Sequence, residues 1–159
     1  MSTFFRNIYR YRQTELRHQQ ENFITEIFTQ CLRVDDTFRK KFLAFVGCDV
    51  CFQHFQCSTQ VHHSGYGIPD VLVTLNEEFT LIVECKVEAV RGDDQLERYL
   101  KLLKSLGKSK GMLVFLTKYT EDLSKLNKNS NFKHVRWYQI YDLLNGCDNV
   151  FSLEFAAYL

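Results

Sequence analysis

Asp70, Glu84 and Lys86 lie in the stretch GIPDVLVTLNEEFTLIVECKVEA, residues 67–89, which is otherwise apolar and reads as strand. Glu84 and Lys86 are two apart, so on a strand their side chains leave the same face. Cys85 points the other way and brings its backbone carbonyl to the edge of that face. Asp70 opens the run DVLVTL, and a hairpin through Asn76, Glu77 and Glu78 brings it beside Glu84. Two carboxylates and a carbonyl make an all-oxygen pocket that suits a hard divalent ion. A lysine next to that pocket holds or deprotonates a water and offsets charge on an oxyanion. Mg²⁺ takes few protein ligands and shares the rest with waters and phosphate oxygens, so the pattern points to phosphodiester chemistry more than to a structural metal. The competing reading is an edge hairpin with charges on its solvated face. Against it, Leu81, Ile82 and Val83 run directly into Glu84, and Pro69-Asp70 follows Gly65-Tyr66-Gly67.

Positioning these residues takes a particular order of elements. Residues 14–33 read as a helix, with Phe23, Ile24, Ile27, Phe28, Cys31 and Leu32 on one face. Asp35 or Asp36 caps a second, short helix through Ala44, with Gly47 beyond its end. Residues 50–61 read as extended, and Ser64-Gly65 as a turn. The hairpin follows. Gly92 breaks the strand pattern, Asp94 and Glu97 are spaced as a capping box, and Leu96, Tyr99, Leu100, Leu103 and Leu106 form a helical stripe ending at Gly107. MLVFLT, residues 112–117, is a short apolar run of the kind buried on both sheet faces. A polar loop over 121–131, a strand over 134–137, a helix over 138–144 and a terminal helix from Phe151 complete the pattern.

Composition bounds the rest. A chain of 159 residues is one domain, here 1–159 with a core over about 19–145, and it is open to being part of a longer protein. Hydrophobic content of 45% against 25% charged residues suffices for a globular core. No apolar run approaches the ~20 residues that span a bilayer, and the N-terminus lacks a signal core, so the expectation is a cytoplasmic chain with no membrane partner. The six cysteines are then expected as reduced thiols. Cys48, Cys51, His54 and Cys57 are spaced by three, a pattern open to zinc, but the run is crowded and has no turn residue inside it. Net charge is +1, so any nucleic-acid site must be a local patch.

At these residues the sequence resembles the PD-(D/E)XK nuclease superfamily. The matching pieces are Pro69-Asp70, Glu84-Cys85-Lys86, Gln95 in QLERY at the start of the next helix, and Glu21 in ENFIT on the first core helix. The resemblance covers about residues 21–141 and keeps the family's element order. It implies an α/β, restriction endonuclease-like core: a mixed central sheet flanked by helices. It implies a Mg²⁺-dependent nuclease, with Mn²⁺ as a substitute, hydrolysing phosphodiester bonds in nucleic acid, DNA foremost, in DNA metabolism, repair or defence. Asp70, Glu84 and the Cys85 carbonyl would ligate the metal. Lys86 would position the attacking water. Gln95 would orient Lys86 or contact phosphate; its alternative is a helix residue with a free side chain. Glu21 would bind metal directly or through water, supported by Thr25; its alternative is a solvated helix charge.

Other features stay open at this level. Lys101, Lys104 and Lys108 share one helical side and either meet phosphates or face solvent. Arg10, Arg12 and Arg17, interleaved with Tyr9 and Tyr11, suit stacking on nucleic acid or an interface. Either His62 or His63 faces the substrate, or both are strand-end histidines with backbone partners. Duplex cutters on this scaffold are often dimers, and the Phe-rich helices offer an interface. The alternative function is an inactive nucleic-acid-binding or interaction module on the same scaffold.

Overall fold

The computed structural model describes residues 8–11, 19–48, 51–87, 94–107 and 110–159. Strand β1 (Phe55–Thr59), β2 (Val71–Leu75), β3 (Phe79–Lys86), β4 (Lys110–Thr117) and β5 (Phe132–Arg136) form one five-stranded sheet in that spatial order. The β1/β2 and β2/β3 pairs are antiparallel, and β3/β4 and β4/β5 are parallel. The sheet is therefore mixed, and β3 is the strand where pairing changes sense. The β2–β3 hairpin turns through Asn76 and Glu77, both at left-handed φ, and the Glu78 amide closes it on the Leu75 carbonyl at 2.9 Å.

Helices cover both faces. On one side lie α1 (Gln20–Val34), α2 (Asp36–Phe45), α4 (Trp137–Leu144) and α5 (Val150–Tyr158). Their Ile24, Phe28, Phe38, Phe42, Trp137 and Phe155 pack on Val73, Leu81, Val83, Cys85 and Val114. On the other side, α3 (Gln95–Ser105) lays Leu96, Tyr99, Leu102 and Leu103 on Ile82, Leu113 and Phe115. Alternate residues of β3 thus feed two cores, which is why its sequence is a continuous apolar run. The α3 connection also supplies the crossover that parallel β3 and β4 require. The fold is α/β, as the element pattern predicts.

Local differences have local causes. The predicted capping box at α3 does not form: Asp94 sits at φ +54 and makes no side-chain cap bond. Helix α4 starts one residue early, because Trp137 is its first residue and not the end of β5. The polar loop over 121–131 contains a 3₁₀ turn, Leu126–Lys128, whose Leu126 is buried. Of the predicted first helix, residues 14–18 lie outside the described ones, as do Arg12 and Arg17. All six cysteines are free; Cys48 is buried, Cys57 half-buried and Cys51 exposed. His63 forms a bridge with Gly67, its amide donating to the Gly67 carbonyl at 2.8 Å. Among the described residues no helix is long and apolar enough to cross a membrane.

Asp35 locks the helical layer together. Its carboxylate accepts from the Phe38 amide at 3.0 Å, capping α2, and from the Ser152 hydroxyl of α5 at 2.6 Å. Burial pushes this carboxyl up, but the Ser152 and backbone donors outweigh it and hold it below the usual range. Ser152 is fully buried. Ser152→Ala is expected to cost about 2 kcal/mol, because it leaves a buried carboxylate oxygen short of a donor. Urea unfolding of the two proteins measures it, and an unchanged midpoint would remove Asp35–Ser152 as the tie between α2 and α5.

Candidate active site

The β2–β3 register pairs Val71 with Val83, and carried one step further it sets Asp70 opposite Glu84. Glu84 and Lys86 share the sheet face of Ile82, the face that α3 covers. Gln95 is the first residue of α3, and Glu21 is in the first turn of α1. Both helices begin beside the carboxyl end of β3, the central strand, since Gln95 bonds Glu84 and Glu21 accepts from the Val87 amide. This is the usual place for a site in an open α/β sheet, outside the carboxyl end of a strand where the topology switches.

The hydrogen bonds converge on the two acids. Asp70 accepts from the Cys85 amide through Oδ2 at 2.8 Å and from Gln60 Nε2 through Oδ1 at 2.7 Å. Glu84 Oε1 takes both Lys86 Nζ at 2.9 Å and Gln95 Nε2 at 2.7 Å. Glu84 Oε2 is buried and has no hydrogen-bond partner. Lys86 Nζ also lies 3.4 Å from Glu21 Oε2, while Glu21 Oε1 accepts from the Val87 amide at 2.9 Å. Tyr99 donates to the Ile68 carbonyl at 3.0 Å, so its oxygen is left to accept from Gln95 Nε2 at 3.3 Å. Behind the site, the Lys86 carbonyl accepts from the Trp137 indole and from the Lys118 amide, each at 3.2 Å.

Burial dominates the electrostatics. Glu84 is 2% exposed, and loss of water followed by the charge of Asp70 pushes its carboxyl up to about 7. Asp70, 8% exposed, is raised by the same loss of water, against the pull of the Cys85 amide and Lys86. Burial alone would lower Lys86, but Glu84 first, then Glu21 and Asp70, raise it above its usual value. The ammonium therefore stays protonated at neutral pH. A protonated Lys86 suits the first of the two roles open to it from sequence, holding a water.

The structure brings Asp70, Glu84, Lys86, Gln95 and Glu21 to one place. Thr25 is buried and its hydroxyl makes no hydrogen bond, so it does not hold Glu21 through one. Among the described residues no group of three or more His, Cys, Asp or Glu side chains is arranged to hold a metal ion. Lys101 and Lys104 are exposed on α3, which runs away from the acids; they sit roughly 9 and 14 Å along its axis from Gln95. Lys104 reaches a hollow shared with Lys110 and Asn131, beside the start of β4. Lys108 lies outside the described residues. Gln60, Tyr99 and Trp137 are supporting residues outside the predicted site set. Only Tyr99 had a signal, a tyrosine four residues after Gln95. Set against family models, curated proteins and solved structures, the chain matches none of them.

Proposed function

We propose that this chain is a divalent-cation-dependent nuclease with a restriction endonuclease-like core, hydrolysing phosphodiester bonds in nucleic acid, DNA foremost, in the cytoplasm. The observation that carries the reading is the buried, unpartnered Oε2 of Glu84 beside a second buried carboxylate. A buried carboxylate oxygen without a donor is costly, and a cation removes that cost. The donor set fits a hard ion: Asp70 and Glu84 would hold Mg²⁺ or Mn²⁺ with the Cys85 carbonyl and water, and Glu21 would join through water. A bound ion of this kind supplies positive charge to a phosphoryl oxygen and acidifies a water.

The chain's own groups do the rest. Gln60 and the Cys85 amide fix Asp70. Gln95, itself held by Tyr99, fixes Glu84. The Lys86 ammonium donates to the attacking water and to the charge that develops as the phosphorus–oxygen bond forms. Lys101 and Lys104 contact phosphates away from the cut. The mixed order of β2 to β5, with α3 as crossover, supports the restriction endonuclease-like core.

A cleavage panel of linear, circular and single-stranded DNA and of RNA, with Mg²⁺, Mn²⁺ or EDTA, tests the reading. Cutting should require the cation and disappear in Glu84→Ala. Cutting that survives in Glu84→Ala, or binding without any cutting, overturns it; the latter leaves an inactive binding module. Two variants assign the supporting residues. Gln95→Ala should slow cleavage roughly tenfold with cation affinity little changed, since it removes one charge-assisted hydrogen bond. Glu21→Gln keeps the acceptor for Val87 but loses the ion pair with Lys86. A fall in cation affinity by calorimetry would make Glu21 a ligand, and a fall in rate alone would make it a partner of Lys86.

A further inference from the structure

Two exposed tyrosines lie just beyond the ends of β4 and β5: Tyr119 is two residues past β4, and Tyr138 is the second residue of α4. Tyr119 is 57% exposed and Tyr138 60%. Single exposed aromatics are common on protein surfaces and need no explanation. These two differ in how they are held. Tyr119 follows Lys118, whose amide donates to the Lys86 carbonyl, and Tyr138 follows Trp137, whose indole donates to that same carbonyl. Each carries a cation: Lys118 Nζ lies 5.2 Å from the Tyr119 ring centre, and the Arg136 guanidinium 5.8 Å from that of Tyr138.

Arg136 ties the two halves together. Its Nε and Nη2 donate to the Lys118 carbonyl at 3.1 and 2.8 Å, and Nη1 donates to Thr120 Oγ1. Three of its five N–H groups are used in this way, which fixes the guanidinium and leaves two for a phosphate. Lys86 pairs with Thr117 and Thr117 with Arg136, so the three form one row across neighbouring strands. At the usual strand spacing the Arg136 backbone is roughly 10 Å from that of Lys86.

We propose that Lys118, Tyr119, Arg136 and Tyr138 form a platform for an unpaired nucleic-acid strand, stacking bases on the two tyrosines and holding phosphates on the two cations. This rests on the nuclease reading of the adjoining site and adds the substrate class: a single strand, or a duplex end splayed open. Aromatic rings interleaved with cations are the elements that bind single strands without regard to sequence, since every base has a π-face. In a closed duplex those faces are stacked away and the tyrosines gain nothing.

Fluorescence anisotropy tests the platform, using a labelled single-stranded DNA oligonucleotide and its duplex, both in EDTA so that cleavage plays no part. The parent protein should bind the single strand more tightly. Tyr119→Ala and Tyr138→Ala should each weaken single-strand binding roughly tenfold and leave duplex binding nearly unchanged. Tyr→Phe at either position should restore it, since stacking needs the ring and not the hydroxyl, and that rescue separates lost stacking from lost folding. Lys101→Ala with Lys104→Ala should weaken both substrates alike. If both alanine variants hold the single strand as the parent does, or if the parent prefers duplex, the platform is wrong. A cation-dependent cutter whose tyrosine variants bind normally keeps the nuclease reading and loses the platform. Ring-dependent single-strand binding without cation-dependent cutting does the reverse.

Discussion

Lys86→Ala is expected to slow phosphodiester cleavage by roughly 10²–10³-fold while Mg²⁺ still binds, the range found when one preorganised donor to a developing charge is removed. Lys86 cannot be a ligand, because an ammonium has no lone pair. It lies 2.9 Å from Glu84 and 3.4 Å from Glu21, so its charge partly cancels theirs. Removing it leaves the acids more strongly negative and should hold the cation as well or slightly better. The cation-free protein should lose thermal stability at neutral pH, since Glu84 then keeps only the Gln95 donor in a buried place. Added Mg²⁺ should return part of that loss. Lys86→Arg should also be slow: the guanidinium keeps the charge but is longer and planar, and cannot occupy the ammonium's position between two carboxylates. Glu84→Ala, by contrast, should lose cation binding and cleavage together. Calorimetry and gel cleavage on the same preparations decide it. Should Lys86→Ala cut as well as the parent, the lysine is only a counter-charge and the catalytic reading of Glu84-Cys85-Lys86 fails.

The parts of the site legible in the sequence are those set by local periodicity. A period of two puts Glu84 and Lys86 on one face, and the hairpin length sets Asp70 against Glu84. Gln95 is legible because a helix start is. The supporting shell depends on contacts between distant segments, which no short pattern encodes. Gln60 reaches Asp70 from a position at φ +54, on the bend after β1. Trp137 reads as one more apolar residue at a strand end, yet its indole N–H reaches Lys86, 51 positions away. Tyr99 fits the apolar stripe of α3 by its ring, while its hydroxyl, the functional end, bonds Gln95 and Ile68. Asp94 shows the opposite failure. Its spacing to Glu97 suits a capping box, but the chain enters α3 through a left-handed residue and the side chain does not cap.

The second large effect is a dependence of stability on pH that belongs to Glu84. Its carboxyl titrates near 7 in the folded protein, against an ordinary value of 4.5. A group whose folded value is raised stabilises the fold fully below its unfolded value and loses that contribution as pH rises through the folded one. The cation-free protein should therefore lose about 3 kcal/mol between pH 4.5 and 8, or roughly 10 °C in melting temperature. Asp70, also raised, adds to the same trend. His134 opposes it: burial and Arg136 hold its pKa below the usual value, so its contribution grows as pH rises. Comparison with Glu84→Gln isolates the Glu84 carboxylate together with its coupling to Asp70, because that variant keeps His134 and removes the titration at Glu84. The difference between the two melting curves should fall steadily from pH 5 to 8. Cation binding should run the opposite way, since the ligand must be ionised. Mg²⁺ affinity should rise about tenfold per pH unit up to 7 and then level off, and Glu84→Gln should show neither the binding nor the rise. Saturating Mg²⁺ should accordingly flatten the parent's stability profile. A parent protein whose stability relative to Glu84→Gln is constant across this range would mean that Glu84 is ionised throughout, satisfied by Lys86 and Gln95 alone, and the unpartnered oxygen would no longer argue for a cation.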